Sequence, residues 1–487
     1  MPIHSSCCKK SHDLAKYLAS KPADILKECP AYTAFGRCPQ GVKCRAGSCH
    51  TLPDGKQLVN EELASKDIVT QTNFLSNDIR KALRAKKYDF SRSDEQRKLL
   101  DAKKNNYGGD DSGLNEMSAE NKRFDPETRP VKKKPIDFIG KTYLAPLTTV
   151  GNMPFRRICK EYGVDITCSE MAMAGNILKG TNGEWALLRR HVSEDIFGVQ
   201  ICGNNFEQLV NTSELINNEC NVDFIDLNVG CPIDSVYEKG CGSGMFKTPN
   251  KMYGIINAMN NVTDFPMTVK YRTGISIKQP IAIKVTQKLD EMGIQLGIVH
   301  GRSRQQRYSK LADWDYIKQV KESSKHMQIF GNGDVFSWED YWEKMEETKV
   351  DGIMIGRGAL IKPWIFEEIK ERKVWDITSN ERLELLKKFC NYGLEHWGSD
   401  DIGVNHTRRY LLEWQSFLCR YVPVGLLEVL PAKMNQRPPA YYGRNELETL
   451  MASTNVADWI KISEMMLGPT PDDFVFIPKH KSNSYEG

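Results

Sequence analysis

The chain has 487 residues, 40% of them hydrophobic and 27% charged, so it is long enough for two to four domains and apolar enough to build a core. Its formal net charge of +4, from 67 basic and 63 acidic residues, is too small to establish a nucleic-acid partner. Neither an 18-residue apolar stretch nor the apolar core of a signal peptide is visible. We therefore expect no membrane association, a cytoplasmic and/or nuclear location, and 14 cysteines that are reduced thiols or metal ligands.

Residues 1–53 predict a CCCH zinc finger. The predicted ligands, spaced as Cys-x8-Cys-x5-Cys-x5-His, are Cys29, Cys38, Cys44 and His50. Such soft and borderline ligands in short loops suit tetrahedral Zn²⁺, which contributes about 10–16 kcal/mol to the folding of segments this small. Cys49 is an alternative fourth ligand to His50. Cys8 and His12 are typical of the end of a second, truncated finger.

Residues 54–135 predict a charged, flexible linker. Lysine, arginine, aspartate and serine dominate this stretch, apolar residues are sparse, and NNYGGDDSG is a flexible break. One short basic helix is expected within Asn73–Lys87.

Residues 136–374 alternate short apolar runs with amphipathic stretches eight times. The runs are KTYLAPL, VDITCSEM, IFGVQICG, DFIDLNVG, PMTVKYRTG, QLGIVHGR, MQIFGNGD and DGIMIGRG. The helices expected between them include Phe206–Ile216, Pro280–Met292, Ser337–Lys344 and Lys362–Ile369. This pattern predicts an α/β fold, a (β/α)8 TIM barrel, with a doubly wound sheet as the alternative.

Residues 375–487 predict an appended helical domain. ERLELLKKFCNYGLEHW and TRRYLLEWQSFLCRYV repeat apolar residues every three to four positions. Arg408, Arg409 and Arg420 near Trp414 suggest an RNA-facing surface, and a helix bundle with ordinary surface charge is the alternative.

The residues that follow the eight predicted strands share one rim, where barrel enzymes place their catalytic groups. In order they are Pro146, Glu170, Gln200, Asn228 with Cys231, Lys270, His300, Asn332, and Gly356 with Arg357. The glycine-rich turns FGNGDV and MIGRGAL follow the seventh and eighth strands, and they predict a phosphate site there. The turn NVGCP presents Cys231 at the rim; a buried, inert cysteine is the alternative.

Lys270 and Gln200 narrow the range of ligands that this rim is expected to bind. Lys270 interrupts an otherwise apolar strand, where an unpaired ammonium is costly, so an anion must meet it. A reduced isoalloxazine ring supplies such a charge, and the Gln200 amide suits the amide-like edge of that ring. A structural salt bridge for Lys270 is the alternative.

The loop after the sixth predicted strand, HGRSRQQRYSKLADW, is strongly basic. Arg302, Arg304, Arg307 and Lys310 fall within nine residues beside the rim. Because arginine matches phosphate geometry, this cluster predicts an anionic polymer or a phosphate as the ligand, against the alternative of a solvated loop.

Together these motifs resemble the tRNA-dihydrouridine synthase family, in particular its zinc-finger-bearing eukaryotic branch. The matching motifs are LAPLTTVGNMPFRR, FGVQICG, DLNVGCP, VKYRTG, HGRSRQQRYSKLADW, GNGDV and GIMIGRGAL. The x5-His ending of the finger and the helical C-terminal region also resemble that branch, so the resemblance covers nearly the whole chain. The N-terminus departs from it, since the branch tends to carry two fingers.

The resemblance implies reduction of the C5=C6 bond of a uridine in tRNA, with FMN as cofactor and NADPH or NADH as reductant. Hydride is expected to pass from flavin N5 to C6, and Cys231 is expected to donate the proton to C5. The implied FMN contacts are Pro146, Leu147, Thr148, Gln200, Lys270, His300, Asn332, Gly333, Asp334, Gly356 and Arg357. The implied substrate contacts are Asn228, Arg302, Arg304 and Arg307.

The branch acts on the uridine at position 47, in the variable loop of tRNA. The finger, the basic loop and the helical domain are then expected to hold tRNA, mainly through phosphates and shape. Two alternatives are another FMN barrel oxidoreductase that acts on a free pyrimidine and a noncatalytic RNA-binding protein that has kept a barrel. The sequence makes no prediction of oligomeric state.

Overall fold

The computed structural model describes residues 13–66, 68–105, 133, 135–306 and 308–479. They form two compact units. The first unit contains the described residues up to Val69, Ile377–Arg420, and the described residues from Ala440 onward. The second unit contains Thr70–Asp376, as far as described, and Tyr421–Pro439.

Eight parallel strands of the second unit close into a barrel. The described residues contain eleven strands in all, which in chain order are β1 Gln71–Thr72, β2 Thr142–Leu144, β3 Ile166–Cys168, β4 Ala172–Met173, β5 Arg190–His191, β6 Ile196–Cys202, β7 Phe224–Val229, β8 Met267–Arg272, β9 Leu296–His300, β10 Gln328–Asn332 and β11 Gly352–Ile355. The barrel runs from β2 to β3, then through β6 to β11 in order, and β11 returns to pair with β2. This closure confirms the predicted (β/α)8 barrel and excludes the doubly wound sheet, which is open.

Helices cover the barrel and build most of the first unit. In chain order they are α1 Leu14–Ser20, α2 Pro30–Phe35, α3 Glu61–Ala64, α4 Asn77–Arg84, α5 Ser91–Asn105, α6 Met153–Glu161, α7 Ala174–Leu178, α8 Asn182–Leu187, α9 Phe206–Glu219, α10 Asp234–Tyr237, α11 Pro249–Val262, α12 Ala282–Glu291, α13 Trp314–Ser323, α14 Trp338–Thr348, α15 Arg357–Ile361, α16 Ile365–Glu371, α17 Ser379–Trp397, α18 Asp401–Leu418, α19 Glu446–Ala452 and α20 Val456–Leu467. Side-chain caps set their starts: Asn205 accepts from the Gln208 N–H at the start of α9, and Ser337 forms a capping box with Asp340 at the start of α14.

An aromatic plug closes the amino-terminal end of the barrel. Phe138 precedes β2 and packs edge-on against Phe224 and Phe330, with ring centroids 5.9 and 6.4 Å apart. These rings belong to a buried apolar cluster that also contains Tyr143 and Met354. Because this end of the barrel is filled with side chains, the polar groups of the strands collect at the opposite, carboxyl end.

Residues 70–105 differ from the expected flexible linker, because they are attached to the barrel. β1 pairs with β5, and Asn73 Nδ2 donates to the Leu188 carbonyl at 2.8 Å. The Glu214 carboxylate of α9 accepts from the backbone N–H of Ser93, at 2.8 Å, and so caps the start of α5. The expected basic helix is present as α4. Charge-rich composition therefore did not exclude ordered packing, because a few buried polar anchors hold this segment.

The finger and the C-terminal helices belong to the same compact unit. Leu412, Trp459 and Phe476 form part of its buried core. Arg408 is also buried and donates to Ser463 Oγ at 2.8 Å and to the Leu467 carbonyl at 2.9 Å, so this arginine supports the helix packing and not an RNA-facing surface. Among the described residues, no helix combines the length and apolarity that a membrane crossing needs.

Candidate active site

Cys231 lies just past the carboxyl end of β7, in a loop held by two neighbouring side chains. Asn228 Oδ1 accepts from the backbone N–H groups of Gly230, at 3.1 Å, and Cys231, at 2.8 Å. Ser243 Oγ donates to the Cys231 carbonyl at 2.7 Å. Gly242 has φ +55°, and a Cβ atom there would lie 2.9 Å from Cys231 Cβ. The glycine-rich segment that follows Cys231 thus folds back onto the cysteine. The positive φ and the close approach at Gly242 favour glycine over any residue with a side chain.

The Cys231 thiol is partly exposed and neutral. Burial raises its pKa above the ordinary value of 9.0, although Arg272 and Lys270 act in the opposite direction. A neutral thiol is a proton donor, whereas a nucleophilic cysteine requires a lowered pKa. The geometry therefore suits general-acid chemistry.

A chain of amides connects this loop to a buried carboxylate. Asn228 Nδ2 donates to Gln200 Oε1 at 2.8 Å, and Gln200 Nε2 donates to Asp226 Oδ2 at 2.7 Å. Thr268 Oγ1 donates to the other Asp226 oxygen at 2.6 Å. Burial raises the pKa of Asp226 to about 6. Each polar atom of Gln200 already has one protein partner, so its second N–H and the second lone pair of Oε1 are what it can offer a ligand.

Lys270 projects from β8 at the mouth of the barrel. Its Nζ donates to Asn332 Oδ1 at 3.2 Å, and Asn332 Nδ2 donates to the Met354 carbonyl at 2.8 Å. Burial, reinforced by nearby Arg272, lowers the Lys270 pKa to about 8. No carboxylate within the described residues forms an ion pair with it, so the salt bridge considered above is not part of this arrangement.

Arg302 and Arg357 share one carboxylate, that of Asp334. Arg302 Nη2 lies 2.6 and 2.7 Å from the two Asp334 oxygens, and Arg357 Nη2 lies 2.5 Å from one of them. The Arg302 side chain is fully enclosed (0% exposed), and its Nη2 also donates to the Lys310 carbonyl at 2.6 Å. Arg302 and Asp334 are thus engaged with each other, which differs from the direct tRNA and phosphate contacts expected of them.

His300 is neutral. Burial and the surrounding cations, Arg272 first among them, hold its pKa well below the ordinary value. Its Nε2 lies 3.3 Å from Arg302 Nη1, and since a guanidinium only donates, Nε2 is the acceptor and the proton resides on Nδ1. Tyr308 stacks on the imidazole, with ring centroids 6.0 Å apart.

The predicted glycine turns meet the loop after β2. Gly333 has φ +137°, and a Cβ atom there would lie 2.5 Å from Ala312 Cβ, so a side chain would not fit. A Cβ atom on Gly356 would lie 3.7 Å from Leu147 Cδ2, which brings the eighth strand end next to the first. Pro146 and Leu147 are partly buried, and Thr148 is exposed.

The other two arginines of the basic loop after β9 are Arg304 and Arg307. Arg304 forms an ion pair with Asp234, and its guanidinium stacks 3.8 Å from the centroid of the Tyr237 ring. It therefore links the basic loop to α10, directly beyond Cys231. Arg307 lies outside the described residues.

Sequence reasoning missed several residues of this site. Four residues that contact the predicted site residues were not predicted from the sequence: Asp226, Arg272, Ser243 and Tyr308. For Asp226 a signal existed, because a charged residue inside the apolar run DFIDLNVG is as costly as Lys270 inside its own strand. For the other three, only the folded contacts reveal the role.

The four predicted metal ligands converge in the first unit. The ligand atoms of Cys29, Cys38, Cys44 and His50 all lie within 4.8 Å of one another, and all four residues are buried. His50 Nε2 is buried without a hydrogen-bond partner in the described structure, whereas Cys49 Sγ donates to the Ala46 carbonyl at 3.0 Å. Three thiols and one free imidazole nitrogen are the donor set that structural Zn²⁺ prefers. The geometry selects His50 over Cys49; Cys8 and His12 lie outside the described residues.

Comparison of the sequence with known proteins identifies one family. Residues 143–416 match the family described as Dihydrouridine synthase (Dus). The tRNA-dihydrouridine(47) synthase (NAD(P)(+))-like protein of Xenopus laevis is 51% identical, over 98% of this chain and 77% of that protein. The Homo sapiens protein of the same name is 48% identical, over 98% and 78%. The Oryza sativa subsp. japonica protein is 43% identical, over 99% and 84%.

Among solved structures, the chain is similar to the old yellow enzyme from Trypanosoma cruzi, with a TM-score of 0.37 and 8% identity over 50% of this chain and 93% of that chain. The family match covers more than half of the chain, and the named relatives align over almost all of it. The chain therefore belongs to the dihydrouridine synthase family of enzymes.

Proposed function

We propose that this protein reduces a uridine of tRNA to 5,6-dihydrouridine, with FMN as the bound flavin and NADPH or NADH as the reductant. The proposed target is the variable-loop uridine at position 47, because the Xenopus laevis and Homo sapiens relatives are named for position 47. The observation that carries the proposal is the neutral Cys231 thiol, held by Asn228 beside a group of cations that outnumbers its carboxylates.

The charges at the barrel mouth fit an anionic cofactor. The mouth cluster consists of the cations Lys270, Arg272, Arg302 and Arg357 and the carboxylates Asp226 and Asp334. Four cations face two carboxylates, one of which has a raised pKa, so an anion of about two charges would complete the cluster. A flavin phosphate together with a reduced ring has that character. Ser303 Oγ is also buried without a partner in the described structure, which leaves a polar atom for the ligand.

Several residues of the mouth would hold FMN. Lys270 and His300 Nδ1–H would donate to the ring, with the remaining Gln200 N–H beside them. The backbone N–H groups of the glycine turns would serve the phosphate. The full proposed set is Pro146, Leu147, Thr148, Gln200, Lys270, His300, Asn332, Gly333, Gly356 and Arg357. Asp334 has a different role, because a carboxylate repels phosphate: it positions the Arg302 and Arg357 guanidinium groups.

When bound and reduced, the flavin supplies a hydride from N5 to C6 of the uracil ring. Cys231 donates its Sγ proton to C5, which completes the addition of two hydrogens across the C5=C6 bond. Lys270 and Arg272 lie close enough to stabilise the thiolate that is left behind. General-acid help of this kind is worth about 10²–10⁴-fold in rate, provided that the thiol is held in line, which is the task of Asn228.

The target uridine must leave its stack to reach the mouth of a barrel. We assign contact with the tRNA backbone to Arg304 and, from the sequence, Arg307; Arg302 is enclosed and acts within the protein. The zinc finger and the C-terminal helices would add phosphate contacts, with Zn²⁺ as a structural ion. No disulfide joins any of the twelve cysteines of the described residues, in keeping with the reducing cytoplasm or nucleus.

The decisive experiment maps dihydrouridine in tRNA from cells that lack the protein. We expect loss of the modification at position 47, restoration by the wild-type chain, and no restoration by Cys231→Ala. Cys220→Ala is the matched control, since this partly exposed cysteine lies at the end of α9, away from the mouth. Persistence of the modification without the protein would contradict the proposal. Equal turnover of free uridine and tRNA would instead indicate an oxidoreductase for free pyrimidines.

A further inference from the structure

A serine from the C-terminal helices touches the metal cluster of the finger. Ser399 Oγ lies 3.1 Å from Cys44 Sγ, 3.5 Å from Cys38 Sγ and 3.9 Å from Cys29 Sγ. Ser399 is 1% exposed and lies in the turn between α17 and α18, 355 residues from Cys44. No other hydroxyl of the described residues forms a hydrogen bond with these three sulfur atoms.

The chemistry of a bound metal fixes the direction of this contact. Zn²⁺ binds cysteine as the thiolate, which has no proton to give, so the Ser399 hydroxyl is the donor. Three thiolates and one neutral imidazole leave the zinc site with a net negative charge. A donor aimed at the sulfur atoms offsets that charge, in the way that outer groups tune metal ligands elsewhere.

Two further contacts join the same turn to the finger. The backbone N–H of Arg45 donates to the Ser399 carbonyl at 2.7 Å, and the Arg45 guanidinium forms an ion pair with Asp401 at the start of α18. A Cβ atom on Gly398 (φ +104°) would lie 2.7 Å from Gln40 Nε2, so the chain approaches the finger closely at that glycine. Arg45 follows the ligand Cys44 directly. A metal bound by Cys44 therefore also fixes Arg45 and, through it, the positions of Ser399 and Asp401.

We propose that Ser399 is a positioning residue of the zinc site and that the metal, through this serine, holds the α17–α18 turn in place. The finger is then a structural part of the helical unit in addition to any contact it makes with RNA. This inference rests on the zinc assignment and is independent of the proposed reaction. Loss of zinc is expected to loosen a turn that is remote in sequence from all four ligands.

The first test measures the rate of zinc release from the full-length protein to a chromogenic chelator. Ser399→Ala is expected to release zinc about 10–100-fold faster, and Ser399→Thr, which keeps a hydroxyl, is expected to stay near the wild-type rate. Ser416→Ala is the matched control, because Ser416 is also fully buried in the same unit but donates to the Glu413 carbonyl. Equal release rates for Ser399→Ala and Ser416→Ala would overturn the proposal, as would metal analysis that finds no zinc in the isolated protein.

The second test measures backbone hydrogen exchange before and after chelation. We expect residues 398–404 to lose protection when zinc is removed, while the barrel strands do not change. Retained protection of this turn would overturn the proposed coupling. Reduction of the flavin by NADPH, recorded in the same variants, reports on the proposed reaction separately and is expected to be unaffected by Ser399→Ala.

Discussion

Asn228 Oδ1 accepts a 2.8 Å hydrogen bond from the backbone N–H of Cys231, so the residue near the end of β7 directs the loop that carries the thiol. The same side chain donates to Gln200, which in turn donates to Asp226. A carboxylate only accepts, so the buried Asp226 fixes the orientation of both amides. A charge inside the barrel thereby positions a neutral acid at its mouth.

Replacing Asn228 is expected to misplace the thiol without removing it. In Asn228→Ala the Cys231 loop loses its acceptor, and we expect dihydrouridine formation to fall about 100-fold, as displacements near 1 Å typically cost. Asn228→Asp keeps an oxygen for the Cys231 N–H and should recover part of that loss. The measurement is single-turnover oxidation of the reduced flavin by tRNA. Equal rates for the two variants would contradict a role through the Cys231 N–H.

Removing the thiol itself should separate the two half-reactions. Cys231→Ala is expected to keep its flavin and its reduction by NADPH, and to lose about 10²–10⁴-fold in dihydrouridine formation. Flavin absorbance, stopped-flow reduction and product analysis measure these quantities, with Cys220→Ala as the control. Full turnover of Cys231→Ala would remove the general-acid role.

The sequence predicts the eight strands and their polar ends because apolar runs and glycine turns are local signals. Partnerships between strand ends are not local. Asn228 meets Gln200 from the neighbouring strand, and the basic loop that was expected to face RNA instead directs Arg302 inward to Asp334. The contact of Ser399 with Cys44 spans 355 residues and has no signature in composition or spacing. These pairings depend on how distant segments pack together, and a short stretch of sequence carries no information about that packing.

Lys270 predicts a pH dependence of flavin binding. Its pKa, lowered to about 8, means that the ammonium is present below pH 8 and is lost as the pH rises through that value. FMN affinity should therefore be highest below pH 8, and its dissociation constant should rise by up to about tenfold for each further pH unit. Lys270→Met should bind FMN more weakly and with no inflection near pH 8. Quenching of FMN fluorescence in flavin-depleted protein measures both curves, and identical curves for the two proteins would exclude Lys270 from the site.

Arg302 should matter for stability more than Arg304 does. In Arg302→Met the buried Asp334 carboxylate keeps one cation, Arg357, and the Ala312 N–H. Breaking a buried pair costs up to about 3–5 kcal/mol, the upper value applying when no other cation remains. Arg304→Met removes a pair whose Asp234 partner is 75% exposed, which is worth at most about 1 kcal/mol. Thermal unfolding of the two variants tests the contrast. A similar loss in both would mean that Arg302 is not the interior anchor described here.

Substitution of surface charges tests RNA binding by the finger better than deletion of the finger does. Deletion would also remove Arg45 and the metal ligands, and so strip Ser399 and Asp401 of their partners. Lys27, Arg37 and Lys43 are exposed on the finger. Replacing all three with alanine should weaken tRNA binding and lower the slope of log affinity against log salt by up to about two to three, since each lost phosphate contact removes about 0.7–0.9. The control replaces three exposed lysines on the outside of the barrel, Lys284, Lys318 and Lys325, and so removes the same charge. Flavin reduction by NADPH should be unchanged in both variants. If the two triple variants bind tRNA with the same affinity and the same salt slope, the finger makes no specific contribution to RNA binding and its role is the structural one that Ser399 indicates.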